Sequence, residues 1–476
     1  MQGRFLSSLV LLILVNLLVK PLSLFVVDAG FQNKLGHSEY GIYFSLLNFS
    51  LLFNIILDFG INNFTTRRVA QKPEKAKKLF GTVFIFRVLL FILYLLILIC
   101  CGLFIGYNLR AIMILSLLGI NQFVIICIAY FRSHFAGFHY FKLDALMSVL
   151  DRFILIIFGC YFLFIFDGFL SIETFVWVQF IAYSISFFVG YYLFTKYIDT
   201  PKYSFNLKLS MSILKRSLPF ATLIVLMLIY TRIDSVLLER MHLNGSVQSG
   251  IYAQGYRLLD AFYMFGMIFA GILFPMFSRN LIEKKTAIYS LLNSAGNLLI
   301  GSAVLLAIIC IYNSELILSI IYKDYSEAIP PFQWLILSFI AISMNFIFGT
   351  LLTASGELKV LIWISFLGIC LNILLNVYLI PKYGALGAAF TAFVTQFFTA
   401  FTQCIYAIKK FNIPVSFMSV FRYVLFVLIL VILSEILINT NYLILFQVII
   451  GVACMFLLSF ISFRSINGLI KEKSAK

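Results

Sequence analysis

Five basic side chains, Lys20, Arg87, Arg152, Arg232 and Arg257, and four aspartates, Asp58, Asp151, Asp234 and Asp260, fall inside stretches of the chain that are otherwise almost wholly apolar. A charge at the centre of a bilayer costs roughly 2.5–3.5 kcal/mol on insertion scales, so each must face a partner, a bundle interior or water. Basic groups gathered in such a place suit phosphate oxygens, lysine as a point charge and arginine through forked hydrogen bonds. Two readings stand for Arg87 and for Asp151 with Arg152: buried pairs that hold helices together, or parts of a wet cationic surface. Arg257 and Asp260, one helical turn apart, are either a local pair or members of that same surface.

A second polar feature accompanies the charges. Ser50, Asn54, Asp58 and Asn62 recur every four residues and make one stripe on a continuous helix. The stripe is either an interhelical hydrogen-bond seam or a wall that contacts sugar hydroxyls or responds to protons, with Asp58 and Asp260 as candidates for proton or sodium coupling. Asn372 and Asn376 repeat the idea weakly, while Thr391, Thr395 and Thr399 read as packing. The eight cysteines lie in or near apolar blocks without pairing motifs and read as inert packing residues. The four histidines form no metal-ligand pattern, and no glycine-rich phosphate loop is present, so neither a metal nor an ATP site is expected.

The elements that must position these residues are set by composition. Of 476 residues, 62% are hydrophobic and 11% charged, against about 25% charged in an ordinary soluble domain. Such a chain lacks the polar surface to cover a soluble core, which excludes a water-soluble enzyme, a nucleic-acid-binding protein and a disordered chain. Fourteen apolar blocks, near 5–27, 39–65, 79–106, 111–137, 143–166, 172–196, 217–240, 247–276, 286–312, 329–353, 358–380, 385–408, 417–438 and 442–465, each reach the ~20 residues a spanning helix needs. They do not alternate as barrel strands would. The first block follows Arg4 but is too long for a signal peptide and lacks a small-x-small cleavage site, so an uncleaved helix is expected.

With a cytoplasmic N-terminus, 25 of the 35 Lys and Arg residues fall on inner loops, tails and boundaries, and only Lys34, Arg110, Arg240, Lys323 and Lys382 on outer loops. That bias sets both termini inside. The stretch from Ser204 to Arg216 places Phe205, Leu209 and Ile213 on one face and Lys208, Ser212 and Lys215 on another. It reads as an interfacial helix or as a solvated linker. An internal repeat supports a boundary there: Gly41-Ile42-Tyr43 opens block two, and Gly250-Ile251-Tyr252 opens block eight, 209 positions later. A parallel repeat of six helices is a transporter architecture. The expectation is an all-α polytopic membrane protein, with about fourteen helices in two six-helix lobes (1–203 and 204–410) and a C-terminal pair with its tail (411–476).

Several stretches resemble a known family. Leu35-Gly36, Glu39-Tyr40-Gly41-Ile42-Tyr43, Asp58-Phe59-Gly60 and Arg67 resemble the opening of bacterial polysaccharide flippases, and Leu379-Ile380-Pro381-Lys382-Tyr383-Gly384-Ala385-Leu386-Gly387-Ala388-Ala389 resembles the turn before their twelfth helix. Ala354-Ser355-Gly356-Glu357 and the run from Asn372 to Asn376 also fit. This family lies within the multidrug, oligosaccharidyl-lipid and polysaccharide exporters, and the early motif favours its O-antigen-type (Wzx-type) branch. The resemblance implies translocation of an undecaprenyl-pyrophosphate-linked oligosaccharide (an O-antigen, capsule or exopolysaccharide unit) from inner to outer leaflet of the bacterial inner membrane. It also implies association with polysaccharide polymerase and assembly proteins. Related flippases use basic residues of helices one and eight for the pyrophosphate, which Lys20 and Arg257 match by helix.

On this reading Lys20, Arg232 and Arg257, with Arg87 and Arg152, coat a central cavity, and Asn54, Asp58, Asn62, Asp234 and Asp260 supply its polar and ion-responsive wall. No catalytic residue is expected. A cation-coupled multidrug exporter of the same fold is the alternative. A membrane glycosyltransferase or polymerase is disfavoured because the longest outer loop, near Asn313 to Ala328, is short.

Overall fold

The computed structural model describes residues 16, 18–166, 168–201, 203–204, 206–283, 285–414, 417–437, 443–458 and 460. Arg4, Lys202, Phe205, Lys284, Arg464, Lys471, Lys473 and Lys476 lie outside the described residues. Among those described the chain is helical, with no strand. Among the described residues ten helices are long and apolar enough to cross a membrane, eleven if the bent pair Leu18–Leu52 and Ile55–Gln71 is counted as one span. Two breaks separate further passes. Gly36 (φ 77°, ψ 174°) divides the helical stretch shared by blocks one and two. Gly384 (φ 52°, ψ −127°) divides Leu358–Phe411, whose 54 residues far exceed one span. With these breaks each of the fourteen blocks has a helical counterpart, the first and last described only in part.

The chain forms two compact units, Met1–Ala253 and Gln254–Lys476. In the first, a π-helical turn at Ser23–Asp28 leads into α1 (Ala29–Leu52). The short α2 (Ile55–Asp58) and α3 (Ile61–Gln71) follow, then α4 (Ala76–Phe104), α5 (Leu109–Gly137), α6 (Phe141–Met147), α7 (Leu150–Phe164), α8 (Ile172–Tyr197) and α9 (Leu207–Met241). The opening turns of α10 (Gly245–Glu283) complete it. The helix starts are chemically marked: Asn108 Oδ1 accepts from the Ala111 amide at 2.9 Å, and Ser171 Oγ from the Thr174 amide at 3.3 Å. Helix α5 packs against α1, α3, α4 and α8, and α9 packs along α1. Aromatic rings fill the resulting core; Phe80 lies 4.2 Å from Phe194 and 5.0 Å from Tyr130 between centroids.

Of the interval read as an interfacial helix or a solvated linker, the part from Leu207 on is helical and runs without a break into the apolar span that follows, as the first turns of α9. Lys208, Met211, Ser212 and Lys215 are exposed there.

The two ends of this unit differ in charge. Arg67, Arg68, Lys72 and Lys78 are exposed where α3 meets α4, and Lys77 pairs with Asp199 at 2.7 Å. At the opposite, far end Arg110 bridges Glu39 (2.8 Å) and Glu173 (2.7 Å), tying together the starts of three helical passes.

In the second unit α11 (Lys285–Tyr312), α12 (Ser314–Ile321), α13 (Ile329–Ala354), α14 (Leu358–Phe411), α15 (Phe417–Leu437) and α16 (Leu443–Leu457) follow the remainder of α10. Helix α13 lies along α14, and α11 packs on α13, α15 and α16. Leu305, Ile309, Phe426, Leu430 and Met455 form the core under the last two helices. Lipid tails are as apolar as these side chains, so polar bonds help fix the pairing: Asn313 Nδ2 donates to Gln447 Oε1 at 2.9 Å, and Gln447 Nε2 to Ser434 Oγ at 2.7 Å.

Candidate functional site

The first polar cluster forms where the second apolar block breaks. The helix is interrupted at Phe53–Asn54, where the flanking segments Leu18–Leu52 and Ile55–Gln71 are bent by 42°, and again at Phe59 (φ 42°) and Gly60 (φ 74°), both left-handed. A break inside a bilayer frees backbone groups that must be satisfied within the protein. The Asn54 amide turns to the Leu51 carbonyl (3.1 Å), and the Ser50 carbonyl accepts instead from the Tyr94 hydroxyl at 3.0 Å. Asp58 Oδ1 accepts from the Asn62 amide at 3.3 Å.

Arg87, fully buried on α4, crosses this break. Its Nη2 donates to Asp58 Oδ1 and to Asn62 Oδ1, both at 2.8 Å. Its Nη1 reaches the Ile126 carbonyl at 3.3 Å, and its guanidinium lies 4.7 Å from the Tyr130 ring centroid. Asp58 and Asn62 therefore meet one cation, whereas Asn54 Nδ2 turns to Gln122 at 3.5 Å and Ser50 Oγ bonds its own helix at the Leu47 carbonyl. The four residues expected to share one continuous stripe thus take different neighbours: Ser50 and Asn54 part from Asp58 at the turn through Phe53–Asn54, while Asp58 and Asn62, on either side of the left-handed Phe59 and Gly60, converge on Arg87.

The second cluster gathers around the first block. Half-buried Lys20 has Arg132, Arg152 and Asp151 as electrostatic neighbours. Arg152 Nε lies 3.7 Å from Asp151 Oδ2, and its Nη1 is 3.4 Å from the Tyr183 hydroxyl. The guanidinium also sits over the Tyr183 ring, 5.8 Å from the centroid, a geometry that favours a cation. Arg132 pairs with Asp144 at 2.7 Å. Polar groups extend the cluster along the π-helical turn: Tyr40 donates to Asp28 at 2.6 Å, and Gln179 to the Tyr43 hydroxyl at 2.7 Å. Three cations from three segments thus adjoin Asp144, Asp151 and, along the turn, Asp28. Arg132 was legible only as a boundary charge; its place one turn inside the end of block four was the available signal.

The remaining sequence-selected residues take other neighbours. Arg232 on α9 reaches Asn48 of α1 at 3.4 Å, and Asp234 accepts from the Tyr252 hydroxyl at 3.3 Å. Arg257 belongs to the second unit, where Asp260 lies 3.8 Å away on the same helix. Lys20 is therefore brought to Arg152, Arg87 to Asp58 and Asn62, and Arg232 to a residue the sequence did not single out. Among the described residues no group of three or more His, Cys, Asp or Glu could hold a metal ion.

Comparison with known proteins adds three findings. Residues 5–281, more than half of the chain, match the model of a family described as polysaccharide biosynthesis protein. An uncharacterized membrane protein of Methanocaldococcus jannaschii is 25% identical over 272 residues, 54% of this chain and 61% of that protein, so the match spans less than two thirds of the relative. Among solved structures, the lipid II flippase MurJ in an inward closed conformation superposes with a TM-score of 0.72 at 18% identity, over 96% of this chain and 99% of that one. An inward-facing multidrug resistance transporter of the MATE family gives 0.62 at 13% identity, over 82% and 94%. Vibrio cholerae VcmN, a MATE transporter, gives 0.53 at 16% identity, over 86% and 98%. At these identities the superpositions establish the fold.

Proposed function

We propose, from the premise that the chain belongs to the polysaccharide biosynthesis protein family, that it is a flippase that carries a polyprenyl-pyrophosphate-linked oligosaccharide across a bacterial inner membrane. The observation that carries the reading is the Lys20, Arg132 and Arg152 cluster, drawn from different segments and lodged in or at the ends of apolar spans. Charges are retained at such depth where they serve a substrate path or a partner. A pyrophosphate offers oxygens to the lysine as a point charge and to the arginines as forks, while its polyprenyl chain stays in lipid.

In this reading the basic end, with Arg67, Arg68, Lys72 and Lys78, faces the cytoplasm. An inside-negative potential favours outward movement of an anion by about 2.3 kcal/mol per charge per 100 mV. Two charges gain roughly 4–5 kcal/mol on that scale, enough to bias the direction. The fold is shared with drug exporters, and the family match supports a polysaccharide precursor over a drug as the substrate.

Deleting the gene tests this. Lipid-linked oligosaccharide should accumulate on the inner leaflet, with surface polysaccharide restored by the intact gene. Drug hypersensitivity with normal surface polysaccharide would overturn the reading in favour of drug export.

A further inference from the structure

In the second unit a line of amide and hydroxyl side chains runs between α13 and the half of α14 that follows Gly384. Asn345 Nδ2 donates to Gln396 Oε1 at 3.2 Å and to Thr399 Oγ1 at 3.3 Å. One turn further along, a β-carbon added at Gly349 would lie 2.8 Å from Gln403 Oε1. Asn345 and Gly349 thus face Thr399 and Gln403 in register.

Two acceptors of this line are left over. Asn345 Oδ1 and Gln403 Oε1 are both shielded from solvent without a hydrogen-bond partner among the described residues, and Gln403 is only 4% exposed. A buried amide oxygen without a donor has given up its hydration for nothing in return, so a seam that served helix packing alone would pair it. Asn345 and Gly349 themselves are only half-buried, so the line opens at their level. Polar side chains at such depth face a bundle interior or a water-filled cavity rather than lipid.

An aromatic pair flanks the opening. The ring of Phe346, next to Asn345 on α13, lies 4.9 Å from that of Tyr263 on α10, and both residues are half-buried. Tyr263 follows Asp260 and Arg257 at three-residue steps, which puts it on their side of α10. Neutral acceptors beside aromatic rings suit a sugar: its hydroxyls supply the missing donors, and its C–H face lies against a ring.

We infer that Asn345 and Gln403 read the oligosaccharide of the cargo, each accepting from a sugar hydroxyl, with Gly349 leaving room for the approach. The inference rests on the transport reading above and adds to it a part that recognises the glycan rather than the pyrophosphate.

Binding to the purified full chain in nanodiscs tests it, with two probes: undecaprenyl pyrophosphate, and the lipid-linked oligosaccharide extracted from the deletion strain. Asn345→Leu with Gln403→Leu should bind the oligosaccharide-bearing lipid at least tenfold more weakly than the parent, and undecaprenyl pyrophosphate equally well. Gly349→Ala, whose added carbon crowds Gln403 Oε1, should show the same selective loss, and decides the matter if the leucine pair fails to fold. Equal weakening of both lipids, or of neither, by Gly349→Ala at the parent's melting temperature would overturn the inference. So would loss of a sodium-dependent rise in melting temperature with sugar discrimination intact, the mark of a cation in that place. A parent that binds neither lipid would overturn the transport reading itself, and the inference with it.

Discussion

Arg87 and Asp58 sit 2.8 Å apart across the break in the second apolar block, the cation fully buried on α4 and the carboxylate at the end of α2. The pair does two structural jobs. Its carboxylate caps the amide of Asn62, which the break would otherwise strand, and its guanidinium ties the start of α3 to α4 and to the carbonyl of Ile126 on α5.

Removing one partner leaves the other charge buried. Arg87→Met or Asp58→Ala alone is expected to destabilise the detergent-solubilised protein by about 3–5 kcal/mol. The double variant should lose less than the sum, because neither charge is then orphaned. A double-mutant cycle from thermal or denaturant unfolding measures this. Additive losses would mean that the two groups act independently.

At the far end, Arg110 bridges Glu39 and Glu173 while half exposed. Each exposed pair is worth about 1 kcal/mol or less and is screened by salt. Arg110→Ala should therefore lower the melting temperature slightly at low salt and hardly at all in molar salt. A loss independent of ionic strength would contradict an electrostatic tie.

Glu357, between α13 and α14, accepts from Lys410 at 2.8 Å and from the Tyr406 hydroxyl at 3.1 Å. The Lys410 bond, then the Tyr406 bond, hold its carboxyl below the usual carboxylate range. A carboxylate whose folded pKa is depressed adds stability above its unfolded value and loses it as pH falls through the folded one. Acidification below about pH 4.3, the unperturbed glutamate value, should thus destabilise the parent more than Glu357→Gln. Melting curves across that range check the sign, and identical acid responses would refute it.

Much of the fold was legible because apolar run length is a one-dimensional property: among the described residues each apolar block of spanning length has a helical counterpart, with neighbouring blocks parted at Gly36 and Gly384. What block length does not encode is where the backbone leaves the helical basin. Phe53 and Phe59 carry no turn signal of their own, yet the helix is interrupted at Phe53–Asn54 and again at the left-handed Phe59–Gly60, so Asn54 takes a different neighbour from Asp58 and Asn62. The π-helical turn Ser23–Asp28, just beyond Lys20, was likewise invisible in an unbroken apolar run. Charges inside spans were conspicuous by their cost, but their partners lie on other helices. Thus Arg87 could be marked without Asp58 being assigned to it, and Arg132, near a span end, passed as an orienting charge although it joins Lys20 and Arg152. The repeat was readable as a pattern; that its two glycines abut was a matter of tertiary geometry.

The central claim is that Lys20 and Arg152 hold the anionic head of a lipid-linked oligosaccharide. Its most direct test is the transbilayer distribution of that lipid in cells carrying Lys20→Ala with Arg152→Ala, against Lys20→Arg alone, at equal protein levels. The account expects the double variant to retain the lipid on the inner leaflet and the charge-preserving variant to move it. Normal outward movement by the double variant, with the protein folded and present, would contradict it.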